Sequence, residues 1–116
     1  MWEWSDHEIA LLIEAVKSIH DGAARGTTLK KLSKRLRRIA FNRGEIVGER
    51  YRNYLGMNSK ARMMEAILYG IPDKLHAPNE DFNRVAATLD SPEYTKLLKE
   101  AEALSAGAEK TDKRRI

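Results

Sequence analysis

The sequence predicts an all-α domain of about five helices, and three observations predict it. Apolar residues recur at three- and four-residue spacing in successive segments. Ser, Thr and Asn stand where helices would start, and Gly or Pro where they would stop. No segment alternates apolar and polar residues as a half-buried strand would. With 116 residues and 42% hydrophobic content, the chain is long enough for one modest core. The expected arrangement is a trihelical, helix-turn-helix-like core followed by a C-terminal helical pair.

The first helix is the clearest. Ser5 and Glu8 form a capping box, and Trp4 stands where it can staple onto Ile9. Ile9, Leu12, Ile13, Val16 and Ile19 make one stripe, and Asp21-Gly22 closes the helix. Thr27 or Thr28 is the expected cap of the second helix, whose stripe is Leu29, Leu32, Leu36 and Ile39. At about 100° per residue these four fall within an arc of roughly 80°. After the turn-rich connector "NRGEIVG", Met57, Ala61, Met64 and Leu68, with Leu55 and Ile67 alongside, define a third helix capped by Asn53 or Asn58 and ended by Gly70 and Pro72. A fourth runs through Phe82, Val85, Ala86 and Leu89 behind an acidic first turn. A fifth opens with Ser91-Pro92 and carries Tyr94, Leu97, Leu98, Ala101 and Leu104. Residues 1–104 read as one domain and 105–116 as a flexible tail or linker.

Charge is distributed unevenly. The formal net charge is +4, yet the window from Arg25 to Arg62 holds twelve basic residues and two acids, a net +10, which leaves −6 for the rest. Lys30, Lys31, Lys34, Arg35, Arg37 and Arg38 occupy an arc of roughly 160° opposite the second helix's apolar stripe. No acid stands at i±3 or i±4 to any of them, although solvated helices usually interleave signs. Such a face suits a polyanion. Together with Arg43, these cations are candidate phosphate anchors on DNA, giving affinity and salt dependence without sequence information. Five neutralised phosphates would give a log–log salt slope of about −4.5.

Base readout would need directional hydrogen-bonding side chains at the start of the third helix. Arg52, Asn53, Asn58, Lys60 and Arg62 are the candidates, Arg for guanine and Asn for adenine. Each also has a structural alternative: Asn53 or Asn58 as an N-cap, Arg52 paired with Glu49, Tyr51 and Tyr54 as core aromatics. Met57, Met63 and Met64 read as core packing.

The sequence contains no cysteine, which removes disulfides and thiolate metal sites. His7, His20 and His76 show no ligand spacing, so neither a metal nor another cofactor is expected. No Gly-rich phosphate loop or nucleophile elbow is present, and a non-enzymatic role is expected. The N-terminus is acidic where a signal peptide would be basic, and no apolar run approaches the ~18 residues of a membrane span. A cytoplasmic protein is the expectation.

"WSDHEIALLIEAV", "LSKRLRRIA" and "YRNYLGMNSKARMMEAI", in that order and spacing, resemble the helical N-terminal module of prokaryotic restriction-type and HNH endonucleases and related defence proteins. The module's Phe/Tyr-Arg-Asn-x-x-Gly-hydrophobic-x-x-Lys signature falls on Tyr51, Arg52, Asn53, Gly56, Met57 and Lys60. The resemblance covers roughly Trp2 to Leu104. A weaker one, to Myb-like trihelical domains, shares the opening tryptophan and the helix count. Nothing matches an HNH core. The resemblance implies a module, prokaryotic or phage in setting, that targets a nuclease or helicase effector, in cis or in trans, to duplex DNA. Two other readings share the same charge pattern: RNA binding, and a protein-interaction module that docks an acidic partner.

Overall fold

The computed structural model describes residues 3–72 and 79–106. Among these residues there are five helices: α1 (Asp6–His20), α2 (Arg25–Asn42), α3 (Tyr54–Tyr69), α4 (Glu80–Ala86) and α5 (Pro92–Leu104). No strand occurs among the described residues. The all-α expectation and the number of helices hold.

The capping box that starts α1 is complete. Glu8 N donates to Ser5 Oγ at 3.2 Å, and Ser5 N donates to the Glu8 carboxylate at 2.9 Å. At the other end Asp21 caps the helix and Gly22 takes φ +112°, a conformation in which a Cβ is strained. The helix buries Ile9, Leu12, Ile13 and Val16 as expected, and Ala10, Leu11 and Ala15 as well. Its burial is nearly all-round because α1 packs against each of the other four helices. Truncating one of its fully buried residues, Leu12→Ala, should therefore cost about 2–5 kcal/mol.

The second helix starts earlier than expected. Its N-cap is Ala24, which offers no side-chain acceptor, and Thr27 and Thr28 lie inside the first turn. Tertiary contacts hold this end in place of a local cap. The Arg25 guanidinium reaches across to Glu65 and Asn58 of α3, and the Tyr54 hydroxyl lies against Gly26. Leu29, Leu32, Leu36 and Ile39 are buried as the stripe predicts, and Ala40 joins them.

Asn53 caps α3, its Oδ1 accepting from Gly56 N at 2.9 Å, and Gly70 ends the helix in the left-handed region. Met57, Ala61, Met63 and Met64 enter the core. Leu55, expected in the same stripe, is exposed on the first turn. Helix α4 stops at Ala86, short of Leu89. There Thr88 Oγ1 donates to Val85 O, and the Ser91 hydroxyl donates to Thr88 O, closing a turn that leads to the Ser91 cap of α5.

The last two helices follow the first three in the chain and join the same core. Each docks on α1, with α4 also touching α3 and α5 also touching α2, so five helices share one core. The end of α5 is also tied back to α2. Ser105 is buried, its hydroxyl accepts from Arg35 Nε at 3.2 Å, and Asn42 Nδ2 donates to Leu104 O. The remainder of the expected tail, 107–116, lies outside the described residues, as do Trp2 and His76.

Candidate nucleic-acid interface

The seven expected phosphate anchors divide by how firmly the fold holds them. Lys30, Lys31, Lys34 and Arg43 are exposed, while Arg35, Arg37 and Arg38 are half-buried. Arg35 is tied to Ser105 at the end of α5. One terminal nitrogen of Arg37 donates to the carbonyls of Gly48, Glu49 and Tyr51, which fastens the 43–53 connector along α2. The Arg38 guanidinium lies 4.9 Å from the Phe41 ring centroid, and the Lys30 ammonium lies 5.8 Å from that of Tyr54. Among the described residues, Lys30, Lys31, Arg35, Arg37, Arg38, Arg43 and Arg62 form no ion pair. Lys31, Lys34 and Arg35 also line a groove between α1 and α2, but Glu14 stands on its far wall and makes it a poor anion cradle.

Arg52 is corrected outright. Only 9% of it is exposed, and its partner is Glu8, 2% exposed, rather than Glu49. Arg52 Nε lies 2.8 Å from Glu8 Oε2, one Nη lies 3.2 Å from Oε1, and the same Nη donates to Glu3 O. The Trp4 and Tyr51 rings flank the guanidinium at 4.7 and 4.6 Å. A fork so enclosed has no access to a base edge. Its backbone sits at φ +49°, a left-handed conformation that a non-glycine residue adopts only when its surroundings impose it. Burial, and then the adjoining Glu8 charge, push the Tyr51 phenol above its ordinary range.

The other base-reading candidates are mostly engaged too. Asn53 is the N-cap, and Asn58 Oδ1 accepts from Arg25 Nε at 2.9 Å. Lys60 is half-buried, with its ammonium 5.9 Å from the Phe82 ring centroid. Arg62 alone of the five is exposed. Tyr51 is a core aromatic, whereas Tyr54 is not.

Two features escaped the reading of the sequence. The first is a polar cluster joining α1, α2 and α3. Arg25 makes a two-pronged contact with Glu65 at 2.9 and 3.1 Å, and His20 Nε2 lies 2.9 Å from Glu65 Oε2 with its ring stacked on Tyr69. Burial alone would raise the Glu65 pKa. The hydrogen bonds and charges of Arg25 and His20 outweigh it, and the carboxyl sits below its ordinary value. Glu65 interrupts an apolar stripe, the one hint available, and nothing nearby in sequence names its partners.

The second is a set of large apolar side chains left in solvent: Phe41 at 65% exposure, next to the Arg38 guanidinium, Leu55 at 74% and Ile46 at 95%. Phe41 was legible, since it falls outside the α2 apolar arc and in line with Lys30 and Lys34.

No cluster of three or more His, Asp or Glu able to hold a metal occurs among the described residues. No helix there is long and apolar enough to cross a membrane. Searches against protein-family models, curated proteins and solved structures find no match to this chain.

Proposed function

We propose that the chain is a non-enzymatic DNA-binding module whose anchor is the outer face of α2. The observation that carries this reading is the exposed row of Lys30, Lys31 and Lys34, continued by Arg43 past the helix end, on a helix without a single acid. These four replace the seven candidates of the sequence, because Arg35, Arg37 and Arg38 are held by the fold or by a ring. Arg62, exposed on α3, then takes the role expected of the buried Arg52. The sequence resemblance adds an effector, a nuclease or helicase of a prokaryotic or phage defence system that this module would bring to duplex DNA in the cytoplasm.

The test is fluorescence anisotropy with a labelled duplex across a salt series. Four phosphate contacts correspond to a log–log slope of about −3.6. Lys31→Glu with Lys34→Glu should bring the slope to about half of that or less and weaken binding to every sequence alike. Unchanged affinity in this double variant would overturn the reading. Exposed Ile46 and Leu55 favour a second reading, a docking face for an acidic protein. A mass that rises with concentration, without nucleic-acid binding at low salt, would select it. RNA in a parallel titration separates the two nucleic acids, since both present phosphates.

A further inference from the structure

We propose that the outer strip of α2 is a track for an unpaired stretch of nucleic acid, with Phe41 and Tyr54 stacking bases at its two ends. The proposal rests on the DNA-binding reading above and changes the form of the ligand, from the duplex named there to an unpaired strand. At about 100° per residue, Lys30, Lys34 and Phe41 fall within an arc of about 40°, so they form a line along the helix. From Lys30 to Phe41 the line is about 16 Å long at the helical rise. Tyr54, at the first turn of α3, closes its N-terminal end. The tyrosine lies against Gly26 and beneath the Lys30 ammonium, and it remains 37% exposed. Phe41, 65% exposed beside the Arg38 guanidinium, closes the other end.

Each ring thus stands in solvent next to a cation, with further positive charge between the two. The chemistry complementary to that order is base, phosphates, base. Exposed rings that alternate with cations are how sequence-tolerant single-strand sites hold their ligand. A duplex keeps its bases stacked on each other inside the helix, so it offers the rings nothing and the cations everything. An acidic protein would likewise use the cations and leave the rings idle. At the ~3.4 Å phosphate spacing of a stacked strand the track spans about five phosphates, and fewer if the strand is extended. That is a footprint within the range of small single-strand sites.

The experiment measures anisotropy at low salt with fluorescein-labelled oligo-dT of 15 nucleotides, a 15-base-pair duplex and labelled polyglutamate. It compares the full chain, Phe41→Ala, Phe41→Tyr and the double variant Lys30→Glu/Lys34→Glu. Phe41 is exposed, so helical signal and melting should be unchanged in both of its variants. The expected result is tighter binding of oligo-dT than of duplex. Phe41→Ala should lose about fivefold or more on oligo-dT with no change on duplex, and Phe41→Tyr should restore it. The charge-reversal variant should weaken both ligands. Equal loss on both ligands in Phe41→Ala, no loss at all, or duplex preferred by the unaltered chain would overturn the track and leave phosphate anchoring standing. Binding of neither nucleic acid, or of polyglutamate as tightly as oligo-dT, would overturn both.

Discussion

Removing Arg52 should unfold the domain long before it changes what the domain binds. Arg52→Ala leaves the Glu8 carboxylate buried with Ser5 N at 2.9 Å and, at best, the Tyr51 hydroxyl at 3.4 Å. It also strips Glu3 O of its donor and takes a cation from between two aromatic rings. Breaking a buried pair from one side typically costs about 3–5 kcal/mol, because the surviving charge is left uncompensated. At about 4–8 °C per kcal/mol for a domain near this size, the melting temperature should fall by at least ~12 °C. Backbone strain supplies an internal control. A left-handed conformation costs a non-glycine residue about 1–2 kcal/mol, so Arg52→Gly should be about 1 kcal/mol less damaging than Arg52→Ala. No contact argument predicts that order, since glycine has the fewer atoms.

The assay is urea unfolding followed by helical circular dichroism, with tryptophan fluorescence as second probe because Trp4 faces the guanidinium. A double-mutant cycle with Glu8→Gln isolates the pair, since a neutral partner removes the orphaned charge. The double variant should be milder than the sum of the singles by about 1–3 kcal/mol. A loss below ~1 kcal/mol in Arg52→Ala, or strict additivity in the cycle, would refute the account of Arg52 as a fold-holding residue. Altered sequence preference at undiminished stability would return it to the role of base reader.

The remaining expectations concern the other engaged side chains. Glu65 has its folded pKa lowered by Arg25 and His20, so its contribution to stability is present above the unfolded value near 4.5 and is lost as pH falls through the folded value. In melts between pH 3 and 6, Glu65→Gln should flatten the acid limb of stability; a slope identical to that of the parent would exclude the cluster as its source. Part of the slope should survive, because Arg84 lowers the half-buried Asp6 in the same direction. Asn53→Ala should cost about 1 kcal/mol as a lost N-cap and leave duplex affinity alone; a change in binding without a change in melting would show that it contacts DNA. Gly70→Ala, at φ +67°, should cost about 1–2 kcal/mol by denaturation, and a neutral result would mean that α3 can end differently.

Local signals and tertiary ones were not equally legible. The Ser5–Glu8 box, the Asn53 cap, the Ser91-Pro92 start and the apolar stripe of α2 depend on residues a few positions apart, and the structure reproduces them. Thr27 and Thr28 misled because the start of α2 is fastened by Arg25 to residues 33 and 40 positions away. Leu55 kept the helical period of α3 yet sits in solvent, because periodicity reports a face and not whether another element covers that face. The all-round burial of α1 was foreshadowed by the unbroken run from Ile9 to Ile13. Only the docking of α4 and α5 on α1, beside α3 and α2 respectively, explains it. The Arg52–Glu8 pair spans 44 positions and could not be found by reading neighbours.

The way the fold divides its basic residues also changes how the charge of this sequence should be counted. Arg25, Arg35, Arg37 and Arg52 all make hydrogen bonds inside the domain, and three of them donate to more than one acceptor. Lys30, Lys31 and Lys34 of α2 are exposed. That division follows from side-chain chemistry: a planar fork with five donors can bridge several acceptors at a helix junction, whereas a compact, strongly hydrated ammonium is better left in water. The +10 window therefore overstates the charge available to a polyanion, because much of its arginine is structural. Replacing Arg37 by Lys keeps the charge but gives up the fork that gathers the carbonyls of Gly48, Glu49 and Tyr51. Its expected signature is a loosened 43–53 connector, read as faster amide exchange there, with the salt slope of DNA binding unchanged. Replacing Lys31 by Gln removes a charge that holds nothing together, so it should lower the slope by about 0.9 and leave the melting temperature where it was. If those two signatures were exchanged, the division between structural arginine and ligand-facing lysine would be wrong.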